Sequence, residues 1–145
     1  MTAPDPFSLQ GKVVLLTGGA GLYGRGLAAF LAEAGATLVL ASRDRAALEK
    51  VAAEERNRGY AVEAEQLDQG DESSVLALRD RLVKRHGRVD GLVNNAVARP
   101  MSGPTDTLAH WEESMRVNAT GLFAISRAFG EVMQTQKSGS MVICE

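Results

Sequence analysis

The segment Thr17–Gly24, which reads TGGAGLYG, constrains the fold of this chain more than any other stretch. The apolar run Val13–Leu16 before it is typical of a buried parallel strand, and a helical pattern of apolar residues follows it. Its glycines at positions 19, 21 and 24 have the spacing Gly-x-Gly-x-x-Gly. A strand, a glycine turn and a helix in this order let the backbone approach a pyrophosphate at the positive end of the helix. The segment therefore predicts a dinucleotide site, and the alternative is a tight turn that binds no ligand.

Hydrophobic patterning along the rest of the chain predicts five strands that alternate with four helices. The strands are expected at about 13–16, 37–41, 62–67, 89–93 and 141–144, and the last helix at 108–134. The first helix is expected to end near Ala34 and to bury Leu27, Phe30, Leu31 and Ala34. Alternation with short connections predicts an α/β fold of three layers, with a parallel sheet of order 3-2-1-4-5 and helices on both faces. Residues 1–10, which carry two prolines, are expected to form a loose arm before a domain at 11–145.

The predicted sheet gathers small and polar residues at one edge. Strand order reverses between strands 1 and 4, and ligands of such sheets bind there, at the carboxyl ends of the strands. The glycine turn, Asp68 after strand 3 and Asn94–Val97 after strand 4 all lie at such ends. Their convergence supports a binding crevice more strongly than any one motif does.

Composition narrows the functional classes. The chain has 145 residues, 45% of them hydrophobic, which suits one domain with its own core. Its net charge of -2 and the lack of a basic stripe on any expected helix argue against nucleic acid as a partner. With one cysteine, no apolar stretch of about 18 residues and no signal-peptide pattern, we expect a cytoplasmic protein that does not enter membranes. His86 and His110 lack the spacing of metal ligands, so no metal is expected.

One amide interrupts the apolar face of the long helix expected at 108–134. Asn118 falls on a stripe that also carries Trp111, Met115, Leu122, Ile125 and Phe129. Leaving a buried amide unpaired costs about 1–3 kcal/mol, so Asn118 needs a partner. It either bonds a neighbouring backbone group as a structural residue, or it holds a water or bends the helix beside a reaction centre.

Four of these segments together resemble the short-chain dehydrogenase/reductase family. They are the glycine turn, Asp68, Asn94-Asn95-Ala96 and Val117-Asn118-Ala119-Thr120-Gly121, and the resemblance extends over about residues 9–143. It implies a Rossmann fold that binds NAD(H) or NADP(H) and transfers hydride to or from an alcohol or carbonyl. The implied partners are a small-molecule alcohol or carbonyl substrate and, through the helix 108–134, a second copy of the chain in a homo-oligomer.

The resemblance also implies roles for individual residues. Gly19 to Gly24 are expected to wrap the pyrophosphate, Asp68 to contact the adenine, and Asn95 and Ala96 to line the adenosine ribose. Asn118 corresponds to the asparagine of the family's catalytic tetrad, which holds a water of the proton relay. The expected cofactor-binding residues are Thr17, Gly18, Gly19, Gly21, Leu22, Tyr23, Gly24, Ser42, Arg43, Asp68, Gln69, Asn95, Ala96 and Val97.

Three features depart from the family pattern. Leu22 stands where the common reductases have glycine, a spacing more like the extended, epimerase-type members, and Val97 replaces the glycine usual after Asn-Asn-Ala. The sequence ends at Glu145, before the positions of the family's catalytic Ser and Tyr-x-x-x-Lys. We therefore expect an incomplete Rossmann domain that lacks its C-terminal strands and is the cofactor-binding part of a reductase. A dinucleotide-binding remnant without catalysis is the alternative, and an epimerase-like member is a weaker one.

The residues at the end of strand 2 bear on the choice of cofactor. NAD binders place a carboxylate there to bond the ribose 2′-hydroxyl, whereas this chain has Ala41-Ser42-Arg43. No carboxylate repels a 2′-phosphate there, and an arginine bonds one bidentately. We therefore expect NADP(H) to be preferred over NAD(H), unless Arg43 is only a solvated residue ahead of the next helix.

Overall fold

Five strands alternate with helices in a computed structural model of the protein, which describes residues 5–144. The elements are β1 Val13–Thr17, α1 Leu22–Glu33, β2 Thr37–Ser42, α2 Arg45–Asn57, β3 Val62–Gln66, α3 Glu72–His86, β4 Gly91–Asn94, α4 Leu108–Met115, a π-helical segment Arg116–Gly121, α5 Leu122–Gln136 and β5 Ser140–Ile143. Residues 1–4 of the expected N-terminal arm lie outside the described part. Further along that arm, Leu9 donates a hydrogen bond to the Ala34 carbonyl and packs against the core.

The strands form one parallel sheet in the order β3-β2-β1-β4-β5, as the sequence predicts. Every residue of β1 is buried, because β1 has a neighbour on each side and helices on both faces. Its side chains alternate between two cores. Val14 and Leu16 face the core under α1 and α2, whereas Leu15 faces the core under α3 and α5.

The buried face of α1 differs from the predicted one. Gly24, Ala28 and Ala32 are the buried residues, whereas Phe30 is 63% exposed. Leu27 and Leu31 are only partly buried at the edge of the contact. Small side chains let α1 approach the sheet closely. The predicted face was based mainly on large apolar residues and therefore did not include these small ones.

The long helix predicted at 108–134 is present as a continuous helical stretch, but it is not α-helical throughout. The π-helical segment separates α4 from α5, and its wider turns accommodate an additional residue. One extra residue rotates the preceding helix by about 100° relative to the following one. Ile125 and Phe129 are buried on α5, whereas α4 has no buried residue on any face and its Trp111 is 50% exposed.

Candidate functional site

A cavity of about 270 Å³ opens at the carboxyl ends of the strands, where the connections after β1 and β4 diverge. This position is the crevice that the reversal of strand order predicts. Its lining is Gly18, Ala41, Ser42, Arg43, Asp44, Leu67, Asp68, Gln69, Ala96, Val97, Ala98 and Val117. A larger open groove lies elsewhere, between α3 and α5, and none of its lining residues belongs to the predicted site.

The glycines after β1 have different structural requirements. Gly18 has φ +70°, and a Cβ there would lie 2.9 Å from the Ala96 Cα. A Cβ on Gly24 would lie 2.2 Å from the Gly18 carbonyl oxygen, so the turn and α1 pack too closely for any side chain. Gly21 has φ -73°, and a Cβ there would make only an ordinary contact at 3.6 Å. The packing of the chain therefore requires glycine at positions 18 and 24 but not at 21, where the bare backbone is open to a ligand.

The first turn of α1 has no side-chain cap. Asp44, Asp71 and Thr107 each accept a backbone N–H at the start of α2, α3 and α4, whereas the residue before α1 is Gly21. The first turn of α1 also contains no acidic residue. Its free N–H groups and the positive end of the helix dipole therefore suit an anion. This arrangement fits the pyrophosphate of a dinucleotide.

Thr17 and Asn95 join the ends of β1 and β4. The Thr17 hydroxyl oxygen accepts hydrogen bonds from the backbone N–H groups of Asn95, at 3.1 Å, and Ala96, at 3.0 Å. The Asn95 side-chain amide donates to the carbonyls of Thr17, at 3.2 Å, and Gly18, at 3.1 Å. These four bonds set the shape of the glycine turn, so both side chains support the crevice from behind.

Four of the predicted cofactor-binding side chains do not line the cavity: those of Thr17 and Asn95, which lie behind it, and those of Leu22 and Tyr23. Gly19, Gly21 and Gly24 are not among its lining residues either. Leu22 is 89% exposed and Tyr23 is 78% exposed, and neither lines the crevice. Both belong to the first turn of α1, so their backbone N–H groups, rather than their side chains, are available to an anion at the helix start.

Asp68 and Gln69 follow β3 and face the crevice from its other side. The Asp68 carboxylate accepts a hydrogen bond from the Gly70 N–H at 3.0 Å. Gln69 is only 5% exposed, and its amide donates to the Val117 carbonyl at 3.3 Å. Its side-chain oxygen has no partner among the described residues. A Cβ on Gly121 would lie 2.5 Å from the Gln69 carbonyl oxygen, so this loop and the π-helical segment are in close contact.

Asn118 lies in the π-helical segment and binds the loop after β4. Its side-chain oxygen accepts from the Ala98 N–H at 2.8 Å, and its amide donates to the Ala98 carbonyl at 2.7 Å. The amide also donates to the Ser114 hydroxyl at 3.2 Å. The structure thus agrees with the structural interpretation, in which Asn118 bonds a neighbouring backbone group, and it also places Asn118 where the helix departs from α geometry. With both side-chain atoms engaged, its direct effect is to fix the start of loop 98–106.

A row of alternating charges, which we call the ionic bridge, runs along the rim of the crevice from β2 to the loop after β3. It consists of Arg43, Glu113, Arg116 and Asp68, with closest distances of 3.6 Å, 2.7 Å and 3.4 Å between successive members. The hydrogen bonds from Arg116 lower the pKa of the Glu113 carboxyl, and those to Glu113 raise the pKa of Arg116. The sequence did not predict Glu113 or Arg116 as site residues. Their i,i+3 spacing indicates a pair on one helix, but nothing local connects them to Arg43.

The comparisons with known proteins agree with this geometry. The family profile described as short chain dehydrogenase matches residues 12–144, which is nearly all of the chain. The chain belongs to the short chain dehydrogenase family. Galactitol 2-dehydrogenase from Rhizobium johnstonii is 37% identical over 144 residues, which are 98% of this chain and 56% of that protein.

Solved structures of the short chain dehydrogenase family superpose closely. An NAD⁺-bound xylitol dehydrogenase has a TM-score of 0.89 at 32% identity, over 96% of this chain and 54% of that one. A metagenomic short-chain oxidoreductase in complex with NADP has a TM-score of 0.88 at 31% identity, over 93% of this chain and 62% of that one. The chain thus spans about half the length of the curated relatives it matches.

Residues 5–144 contain neither a metal-site cluster nor a membrane-spanning helix. No cluster of three or more His, Cys, Asp or Glu side chains there has the arrangement of a metal site. No helix in that range combines the length and the apolar character that crossing a bilayer requires.

Proposed function

We propose that this chain supplies the cofactor-binding part of an oxidoreductase that transfers hydride between NADP(H) and an alcohol or carbonyl substrate. The observation that carries the proposal is the open backbone at Gly21, beside an uncapped helix start, in the turn whose Gly18 lines the crevice of the Rossmann sheet. A bound nicotinamide ring supplies the hydride chemistry. The residues of this chain bind and orient the adenosine and pyrophosphate portions.

Each part of the crevice has a proposed role. The backbone from Gly19 to Gly24 wraps the pyrophosphate, with its shape set by Thr17 and Asn95 from behind. Asp68 and Gln69 lie at the adenine, and Ala96 and Val97 line the opposite wall near the ribose. Asn118 fixes loop 98–106, which passes the crevice at Ala98.

The end of β2 favours NADP(H). Ser42 and Arg43 line the crevice. The first carboxylate after the strand, Asp44, lines it too, but its side chain accepts the Ala47 N–H as the cap of α2. The Arg43 side chain is 63% exposed. Its guanidinium is therefore accessible to a 2′-phosphate, which an arginine meets with two parallel hydrogen bonds. NAD(H) remains a cofactor that the same crevice accommodates, since relatives are solved with either dinucleotide.

Titration of the purified protein with NADPH and NADH tests the binding proposal. We expect the tighter complex with NADPH, and the double substitution Ser42→Asp with Arg43→Leu should reverse the order. Gly21→Ala should weaken both complexes while leaving the thermal melt unchanged, because its Cβ fits the chain but enters the space of the pyrophosphate. Equal affinities before and after the double substitution would overturn the role of Arg43.

The substrate class is proposed from relatives. Galactitol 2-dehydrogenase and xylitol dehydrogenase are named for polyols, so a small polyol or the corresponding ketose is our candidate alcohol or carbonyl. The assay follows NADPH absorbance with a panel of polyols and ketoses, with simple secondary alcohols as the control. It requires a protein that joins this cofactor-binding part to the family's catalytic Ser and Tyr-x-x-x-Lys, which this sequence does not contain.

We further propose that the protein forms a homo-oligomer through the helical region 108–134. Leu108, Trp111 and Met115 are exposed along α4, at the spacing of one helix face. Light scattering of the protein and of a Trp111→Glu variant would test this face, and an unchanged mass would count against it.

A further inference from the structure

Besides lining the crevice, Arg43 contacts a carboxylate on α4. Its guanidinium Nη1 lies 3.6 Å from a carboxylate oxygen of Glu113 on α4, although 70 residues separate the two in sequence. Arg43 is therefore shared between the crevice that it lines and the ionic bridge on the rim.

Glu113 has a second and stronger partner. Arg116 donates to its two carboxylate oxygens at 2.7 Å and 2.9 Å, in a bidentate arrangement. Arg116 in turn reaches the Asp68 carboxylate at 3.4 Å. If Arg43 turns away, Glu113 stays paired and ionised, so releasing Arg43 leaves no isolated charge. The contact between Arg43 and Glu113 is thus the one contact of the ionic bridge that breaks without leaving Glu113 unpaired.

We propose that Glu113 is a specificity-determining residue that competes with the 2′-phosphate of the cofactor for Arg43. This inference rests on the proposed function, because it assumes that adenosine occupies the crevice. A 2′-phosphate that bonds Arg43 enters the neighbourhood of the Glu113 carboxylate and is repelled by it. A 2′-hydroxyl carries no charge and does not displace Arg43 from Glu113. Glu113 therefore moderates the preference for NADP(H) that Arg43 creates.

A purely structural role for Glu113 predicts the opposite sign. If the carboxylate served to hold Arg43 ready for the phosphate, neutralising it would weaken binding of the phosphorylated ligand. The two roles are therefore distinguished by the direction of one change in affinity.

The test compares adenosine 2′,5′-bisphosphate with AMP, which differ only in the 2′-phosphate, by calorimetric titration. Glu113→Gln keeps the shape of the side chain and an oxygen for Arg116 while removing the charge. We expect it to increase the affinity ratio of the bisphosphate over AMP by about two- to fivefold, the range of a partly exposed ion pair. Glu112→Gln, one residue away and exposed, is the matched control and should leave the ratio unchanged.

Two further measurements test whether the change in the affinity ratio acts through Arg43 and through electrostatics. The effect of Glu113→Gln should disappear in an Arg43→Leu background, because the competition acts through Arg43. It should also shrink at high salt, since the pair is partly exposed. An unchanged or lower ratio in Glu113→Gln would overturn the inference. Wild-type protein that binds neither nucleotide would instead overturn the proposed function itself.

Discussion

Gly24 and Gly26 both lie on α1, but replacing each by alanine should change the stability of the protein in opposite directions, because their surroundings differ. Gly24→Ala places a methyl group against backbone atoms that cannot move independently, at 2.2 Å from the Gly18 oxygen. Overpacking of this kind costs about 1–3 kcal/mol, and we expect the upper end of that range or more. Gly26→Ala meets nothing within 4 Å and should stabilise the protein by up to about 1 kcal/mol, since alanine is the better helix former. Urea unfolding of both variants measures the difference, and equal stabilities would contradict the close packing of the turn.

Asn118 gives a second prediction at the scale of one residue. Asn118→Ala removes three hydrogen bonds and leaves the Ala98 N–H and carbonyl without their partner. We expect the free energy of unfolding to fall by about 1–3 kcal/mol and amide exchange in loop 98–106 to accelerate. Gln134→Ala, at an exposed position of α5, serves as the control. A variant as stable as the wild type would show that the loop finds other partners.

At the scale of elements, the loop before α4 depends on one carboxylate. Asp106 accepts backbone N–H bonds from Ser102 at 2.6 Å and Thr107 at 2.7 Å, and its carboxylate lies 2.6 Å from the His110 Nδ1. These bonds hold the pKa of the Asp106 carboxyl well below its usual range.

The lowered pKa of Asp106 makes the stability of the fold depend on pH. Because the unfolded chain binds the proton more readily, Asp106 stabilises the fold above the ordinary aspartate pKa of about 3.9 and loses this effect as the pH falls further. Asp106→Asn should therefore flatten the acid limb of a plot of stability against pH. Asp80→Asn, an exposed carboxylate on α3, is the comparison, and identical acid limbs for Asp106→Asn and wild type would contradict the assignment.

Sequence patterns predict most of the helices and strands, but not every feature of their backbone geometry. The alternation of strands and helices was readable from the sequence, because each element depends mainly on neighbours within a few residues. The π-helical segment was not. Its six residues, Arg116–Gly121, differ from an α-helix only in which backbone groups pair, and no side-chain period reports this.

At the scale of the whole molecule, the sequence predicts which strand ends meet but not the contacts made there. Parallel order and right-handed connections place the glycine turn, Asp68 and Asn95 together without further information. The bonds between Thr17 and Asn95, and the ion pair between Arg43 and Glu113, join residues 70 or more positions apart. Such pairs depend on side-chain conformations that only the packed structure determines.

Because the crevice draws on the ends of β1 to β4, cofactor binding should stabilise the molecule as a unit. A ligand at 100 times its Kd adds about 2.7 kcal/mol to the free energy of unfolding, so NADPH should raise the Tm by several degrees. NADH at the same concentration should raise it less, if Arg43 selects the 2′-phosphate. A Tm that neither dinucleotide changes would contradict the proposed function.

The pairing of β1 with β4 also determines when a binding-competent state arises during folding. β1, β2 and β3 follow one another closely, whereas Val14 pairs with Gly91 only after a loop of about 75 residues has closed. Contacts so distant in sequence form late and slowly. A species with β1–β3 assembled has the glycine turn but lacks its opposite wall at Ala96. A dinucleotide should therefore lengthen the lifetime of the native protein by slowing its unfolding, while the rate of refolding stays the same.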